Sequence, residues 1–122
     1  MKKRIRSFGY ASKGIQKVFG SEPNMRIHIT MAILVTICGF SFSISHTEWM
    51  FCVLSFGLVI GAEMINTAIE NIVDLVSPEK NKLAGYAKDI AAGAVLICAI
   101  ASVIVGLIIF VPKVLSLIFS LL

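Results

Sequence analysis

Charge is scarce in this sequence. Only 15% of its 122 residues are Asp, Glu, Lys or Arg, while 57% are hydrophobic. A soluble domain carries about 25% charged and about 45–50% apolar residues. A chain this short cannot hide so much apolar surface inside one small core. The scarcity excludes a disordered chain, argues against a soluble enzyme, and leaves no room for a separate extramembrane domain. It points to a protein dissolved in lipid. Cysteine is confined to Cys38, Cys52 and Cys98, all inside apolar runs and without metal-ligand spacing. They read as small hydrophobes.

Other absences narrow the chemistry. There is no G-x-x-x-x-G-K-[ST] loop, no G-x-G-x-x-G and no protein-kinase motif set, so any phosphate chemistry needs an unusual site. His28 and His46 stand isolated in the sequence. The 11 Lys and Arg outnumber the 7 Asp and Glu, a formal charge of +4. These basic residues crowd beside apolar segments, so lipid headgroups and topology account for them and nucleic acid is not expected as a partner. No small-residue cleavage site follows the first apolar run, which argues against a removable signal peptide.

What is present is a set of long uncharged runs. Residues 27–47 and 90–112 hold no Asp, Glu, Lys or Arg. A membrane span needs about 20 apolar residues to cross about 30 Å of hydrocarbon, so both runs qualify. A third begins at Trp49 but meets Glu63 too soon. Read on to Val73, it becomes a full span with acids inside it. The expected class is an all-α membrane protein, a single domain over 1–122. It has an N-terminal amphipathic surface helix at about 5–20 and transmembrane helices at about 27–46, 49–73 and 88–112. In the surface helix Phe8, Ala11, Ile15, Val18 and Phe19 recur at helical spacing, with Lys13 and Lys17 on the other side. Ser77-Pro78-Glu79 breaks the helix after span two.

Lys2, Lys3, Arg4, Arg6, Lys13, Lys17 and Arg26 precede span one; Lys80, Lys82 and Lys88 lie between spans two and three; the first link has no Lys or Arg. The positive-inside rule then places the N-terminus in the cytoplasm and, after three spans, the C-terminus outside.

The acids in span two are the most informative feature. Glu63, Asn66, Glu70 and Asp74 are spaced 3, 4 and 4, which sets their side chains within an arc of about 80°. Counted from Trp49 at about 1.5 Å per residue, Glu63 lies about 21 Å into the membrane, Glu70 at the cytoplasmic interface and Asp74 beyond it. An acid inside a span costs at least about 2.5–3.5 kcal/mol, so it marks a functional site by default. Asn66 alone would equally serve to glue spans together, and Asp74 alone reads as a solvated interfacial charge. As a stripe the four are more specific. Lys88, Asp89 and Glu22 face the same boundary. Clustered carboxylates without an opposing Arg suit a divalent cation such as Mg²⁺, held by one or two carboxylates together with substrate phosphates. A lysine beside them suits a polyphosphate, and Glu63 is placed to act as general base for a lipid hydroxyl. Gly57 and Gly61 form a G-x-x-x-G on span two, and small residues crowd the start of span three, so close helix approach is expected there. Three spans enclose little volume, so an oligomeric bundle is expected.

The run Glu63-Met-Ile-Asn66-Thr67-Ala68-Ile69-Glu70-Asn-Ile-Val73-Asp74, followed by Ala87-Lys88-Asp89 and Ala94-Val95-Leu96, resembles the bacterial integral-membrane diacylglycerol kinase and undecaprenol kinase family. Gly9-Tyr10, Lys13-Gly14 and Glu22 also fall where that family carries similar residues, and the resemblance covers nearly the whole chain. It implies a homotrimeric, Mg²⁺- and ATP-dependent lipid kinase of the bacterial cytoplasmic membrane, with active sites between subunits. It implies that Glu63 takes the proton from the lipid hydroxyl, that Asn66 supports it, and that Glu22 and Glu70 hold the metal. Lys88, Asp89, Tyr10 and Glu79, with Glu22 and Glu70, would contact ATP. The segment Glu22-Pro-Asn24-Met-Arg26-Ile-His28 is similar to the E-x-N-x-R-x-H of the undecaprenol-phosphorylating branch, from which Pro23 and Met25 depart. The implied function is formation of undecaprenyl phosphate, the carrier lipid of cell-wall synthesis. The alternatives are diacylglycerol phosphorylation to phosphatidic acid, a small proton-coupled transporter, and a non-enzymatic membrane assembly subunit.

Overall fold

The computed structural model describes all residues, 1–122, and consists of four helices without strands. They are α1 (Lys2–Ser21), α2 (Pro23–Ser41), α3 (His46–Val76) and α4 (Lys82–Leu121). The last three are each long and apolar enough to cross a membrane, and the chain is a multi-pass membrane protein. α3 is the centre of the molecule. α4 packs along it most extensively, α2 lies against another side, and α1 touches both α2 and α3.

Each junction has a local cause. Between α1 and α2, Glu22 is extended (φ −99°, ψ 115°) and Pro23 occupies the first turn of α2. Proline disfavours helical backbone in the residue before it and lacks the N–H that a first turn leaves unpaired. The Arg26 guanidinium reaches back to the Gly20 carbonyl at 3.2 Å, tying the two helices across the break. After α2 the chain turns through Ser43 in the left-handed region (φ 50°). Ser45 then caps α3. The Glu48 N–H donates to Ser45 Oγ at 3.1 Å and the Ser45 N–H donates to Glu48 Oε1 at 3.0 Å, a reciprocal capping box. At the far end, Asn81 Oδ1 accepts from the Leu83 and Ala84 N–H groups at 2.9 and 3.2 Å and starts α4.

The element limits differ from expectation at the end of α2 and at both ends of α4, which begins at Lys82 and not at about 88. α2 stops at Ser41 instead of running to about 46, because the Phe42–Ile44 turn folds back: the Ile44 N–H donates to the Gly39 carbonyl at 3.1 Å. α4 passes Pro112 and Lys113 and continues to Leu121. Lys113 is not stranded in the apolar helix, since its ammonium donates to Glu48 Oε2 at 2.9 Å. That contact joins the start of α3 to the last third of α4.

The same end of the bundle holds the tightest packing. Ile44, Cys52 and Ile109 form a small core against which Trp49 and Phe110 pack. Gly39 is required here: a Cβ at that position would stand 2.6 Å from Trp49 Cη2. Elsewhere the chain buries little. Only 12 of 122 residues are buried, and side chains such as Ile97 and Ile108 remain 70% and 69% exposed. Apolar surface on this scale must be covered by lipid or by other copies.

Candidate functional site

The buried polar residues all lie on one face of α3, within two turns of its middle on the C-terminal side. Glu63 is 1% exposed, and Asn66 and Thr67 are buried beside it. Helical spacing brings them together, since residues three and four apart are surface neighbours. The Thr67 hydroxyl donates to the Glu63 carbonyl oxygen at 3.0 Å, which satisfies it within the helix. Asn66 Nδ2 donates to Glu70 Oε1 at 3.1 Å. The half-buried Glu70 carboxylate is thereby held towards the same face as Glu63.

Two buried oxygens are left without a hydrogen bond, Glu63 Oε2 and Asn66 Oδ1. An unpartnered buried polar atom costs about 1–3 kcal/mol, and in a native structure it asks for an explanation. Both oxygens sit on the stripe, one turn apart.

The structure corrects the reading of His28 as isolated. α2 carries it against α3, with Nε2 3.4 Å from Glu63 Oε2. The distance lies beyond the usual range for a hydrogen bond to oxygen, so the two groups are neighbours and Oε2 stays unbonded. The spacing of Glu22 to His28 was visible in the sequence, but the contact with Glu63 depends on how α2 seats on α3.

Further along the stripe, Asp74 is in contact with the Lys88 ammonium, which links the end of α3 to the first turns of α4. An open cavity of about 470 Å³ lies at this α3–α4 connection, and Asp74, Glu79, Lys80, Lys82 and Lys88 are among its lining residues. Its charges are mixed, with three ammonium groups against two carboxylates. An apolar cleft of about 350 Å³ lies between α1, α2 and α3, lined by Phe19, Ile29, Ile33, Ile37 and Ile60 among others. Ile29 follows His28 in sequence and Ile60 precedes Glu63 by three residues, so the cleft adjoins the buried acid.

The expected site residues therefore fall into three sets. Glu63, Asn66 and Glu70 share one face of α3, Asn66 and Glu70 joined by a hydrogen bond, with His28 beside Glu63. Glu79 and Lys88 meet at the α3–α4 cavity, with Asp74 added. Tyr10 on α1, Glu22 at the α1–α2 junction and Asp89 on α4 make no side-chain hydrogen bond or ion pair within the chain, and Tyr10 and Asp89 are exposed. No three acidic, histidine or cysteine side chains converge as a metal site within one copy. The Glu70 carboxylate, fixed on one oxygen by Asn66, is nonetheless a suitable hard oxygen donor for Mg²⁺, which seldom uses an all-protein cage. Gly57, Gly61, Gly85 and Gly93 have nothing within 4 Å of a Cβ built on them, so their small size is not used for packing inside one chain.

Comparison with known proteins places this arrangement among relatives. The sequence profile described as Prokaryotic diacylglycerol kinase matches residues 9–110. The chain is 44% identical over 109 residues to the undecaprenol kinase of Bacillus subtilis, covering 89% of each chain. It is 40% identical over 112 residues to a diacylglycerol kinase of Synechocystis, covering 91% of this chain and 64% of that one. To the diacylglycerol kinase of Escherichia coli K12 it is 31% identical over 100 residues, 82% of each.

Proposed function

The chain belongs to the prokaryotic diacylglycerol kinase family of membrane lipid kinases, and from that premise we propose that it transfers the γ-phosphate of ATP to the hydroxyl of undecaprenol. The observation that carries the site reading is the buried Glu63 carboxylate with a free Oε2, on the same helix face as Asn66 and the half-buried Glu70 to which Asn66 donates. The array runs from the apolar interior to the polar end of the helix. A reaction between a lipid-soluble alcohol and a water-soluble nucleotide needs that geometry. The choice of undecaprenol is supported by the Bacillus subtilis relative and by the Glu22-to-His28 segment.

In this mechanism the lipid lies with its chain along the apolar cleft and its hydroxyl at Glu63. Oε2 takes the hydroxyl proton as the oxygen attacks the γ-phosphorus in line, and the bond to the ADP oxygen breaks. Asn66 keeps Glu70 in register and offers its free Oδ1 to the reacting groups. Glu22 and Glu70 are the residues that would hold Mg²⁺, which when bound neutralises phosphate charge. Lys88 meets the phosphates after parting from Asp74, and Tyr10, Glu79 and Asp89 contact the nucleotide. Positioning and charge neutralisation supply most of the acceleration in phosphoryl transfer.

The same reading sets the surroundings. The N-terminus and the α3–α4 connection face the cytoplasm, where ATP is, and the C-terminus lies outside. Three copies assemble, covering the exposed faces of α3 and α4 and bringing Tyr10, Glu22 and Asp89 of one copy towards the stripe of another. Diacylglycerol is the second substrate reading, favoured by the Synechocystis and Escherichia coli relatives. A proton-coupled transporter is disfavoured by family membership and by three apolar spans in place of four. The discriminating experiment measures lipid-dependent ADP formation by the purified protein in bilayer discs with each lipid. A higher kcat/KM on undecaprenol is expected; a higher value on diacylglycerol transfers the mechanism to that lipid.

A further inference from the structure

We propose that His28 carries the proton away from Glu63 after each phosphoryl transfer and delivers it to water. The inference rests on Glu63 being the base. A base that accepts one proton per turnover must lose it before the next, and Glu63 has no exit of its own. Its side chain is 2% exposed, and its Oε2 has no hydrogen-bond partner. His28 Nε2 faces that same oxygen at 3.4 Å, and the His28 side chain is 18% exposed. The pair forms a step from a sealed oxygen to a part-exposed ring near the start of α2, the end that the proposed orientation places at the cytoplasmic surface.

The other polar side chains around Glu63 are engaged elsewhere. Thr67 points its proton at the Glu63 carbonyl, and Asn66 Nδ2 is engaged with Glu70. The Arg26 guanidinium, two residues before His28, is turned to the Gly20 carbonyl. Lys88, on the neighbouring α4, is engaged with Asp74. No basic group other than His28 lies within 4 Å of the Glu63 carboxylate. Imidazole is also the side chain whose ordinary range lets it gain and lose a proton near neutral pH.

The step balances with groups already named. The lipid O–H proton moves to Glu63 Oε2 as the new O–P bond forms and the bond to ADP breaks. The Glu63 carboxylic acid then gives that proton to Nε2 of a neutral imidazole carrying its hydrogen on Nδ1. The resulting imidazolium releases the Nδ1 proton to water, and exchange with water restores the starting tautomer. One proton leaves per ester formed. Transfer requires the 3.4 Å separation to close to about 2.7–2.9 Å. Catalytic hydrogen bonds are often long before substrate binds.

The test separates proton removal from chemistry in time. Full-length protein in bilayer discs is mixed with undecaprenol and labelled Mg²⁺-ATP in a rapid-quench instrument. Wild type, His28→Gln and Glu63→Gln are compared. Gln keeps a polar group opposite Oε2 but cannot relay a proton. The expected result for His28→Gln is a first turnover within about threefold of wild type, then a steady rate at least tenfold lower, which added imidazole raises again. The burst amplitude reports the folded, active fraction. Equal slowing of the first turnover, no slowing, or a slow steady rate that imidazole does not lift each overturns the proposal. A Glu63→Gln variant that keeps its first turnover overturns the base assignment itself, which is a different failure.

Discussion

Replacing Asn66 by Ala removes one well-defined contact. Its Nδ2 donates to Glu70 Oε1 at 3.1 Å, and a hydrogen bond to a charged group contributes about 1.5–3 kcal/mol. Glu70 is half-buried, so water replaces part of the lost bond and the lower end of that range applies. About 1.4 kcal/mol corresponds to a factor of ten. If Glu70 holds the metal, freeing its carboxylate raises the Mg²⁺ concentration for half-maximal activity about tenfold. The fold should suffer little, because Asn66 Oδ1 already lacks a partner and removing it deletes an unsatisfied atom. The assay is a Mg²⁺ titration of lipid phosphorylation at fixed ATP, alongside thermal unfolding. A half-point within twofold of wild type, in a variant that is folded, refutes the coupling of Asn66 to the metal through Glu70.

Three further outcomes follow from the geometry. Gly39→Ala drives a Cβ to 2.6 Å from Trp49 Cη2 and 3.2 Å from Ile44 Cδ1. The overpacking, about 1–3 kcal/mol, exceeds the roughly 1 kcal/mol that alanine gains in a helix, so the unfolding midpoint drops; an unchanged midpoint contradicts the packing. Lys113→Met lowers the midpoint through loss of the 2.9 Å contact with Glu48, and in a Glu48→Gln background the same substitution has a smaller effect; equal effects in both backgrounds show the pair to be uncoupled. Glu63→Gln leaves assembly intact but lowers kcat by about 10²–10⁴-fold, the usual contribution of a general base, and kinetics beside size analysis in detergent read the two separately.

The parts of this structure that the sequence displays are those that depend on one element at a time. Three apolar helices are visible because hydrocarbon demands length and lack of charge. The Glu63, Asn66, Glu70 stripe is visible because a helix converts spacing into a face. The stop at Ser77-Pro78 follows from proline's own geometry. What depends on two elements meeting is harder to see. His28 reaches Glu63 only when α2 docks on α3, and no spacing along the chain encodes that distance. The end of α2 at Ser41 was hidden because a serine, not a glycine, takes the left-handed turn position. Lys113 is accommodated in the apolar α4 because it reaches Glu48 on α3, another contact between two elements. The small residues of α3 and α4 point to a partner that is not the chain itself, since nothing within one copy packs on them.

The most direct measurement is single-turnover transfer of labelled γ-phosphate from Mg²⁺-ATP to undecaprenol in bilayer discs, with wild type and Glu63→Gln side by side. The account predicts labelled undecaprenyl phosphate from the wild type, and a rate lower by about two to four orders of magnitude from the variant. A folded, assembled wild type that labels no lipid, or a Glu63→Gln variant that labels it at the wild-type rate, contradicts the account.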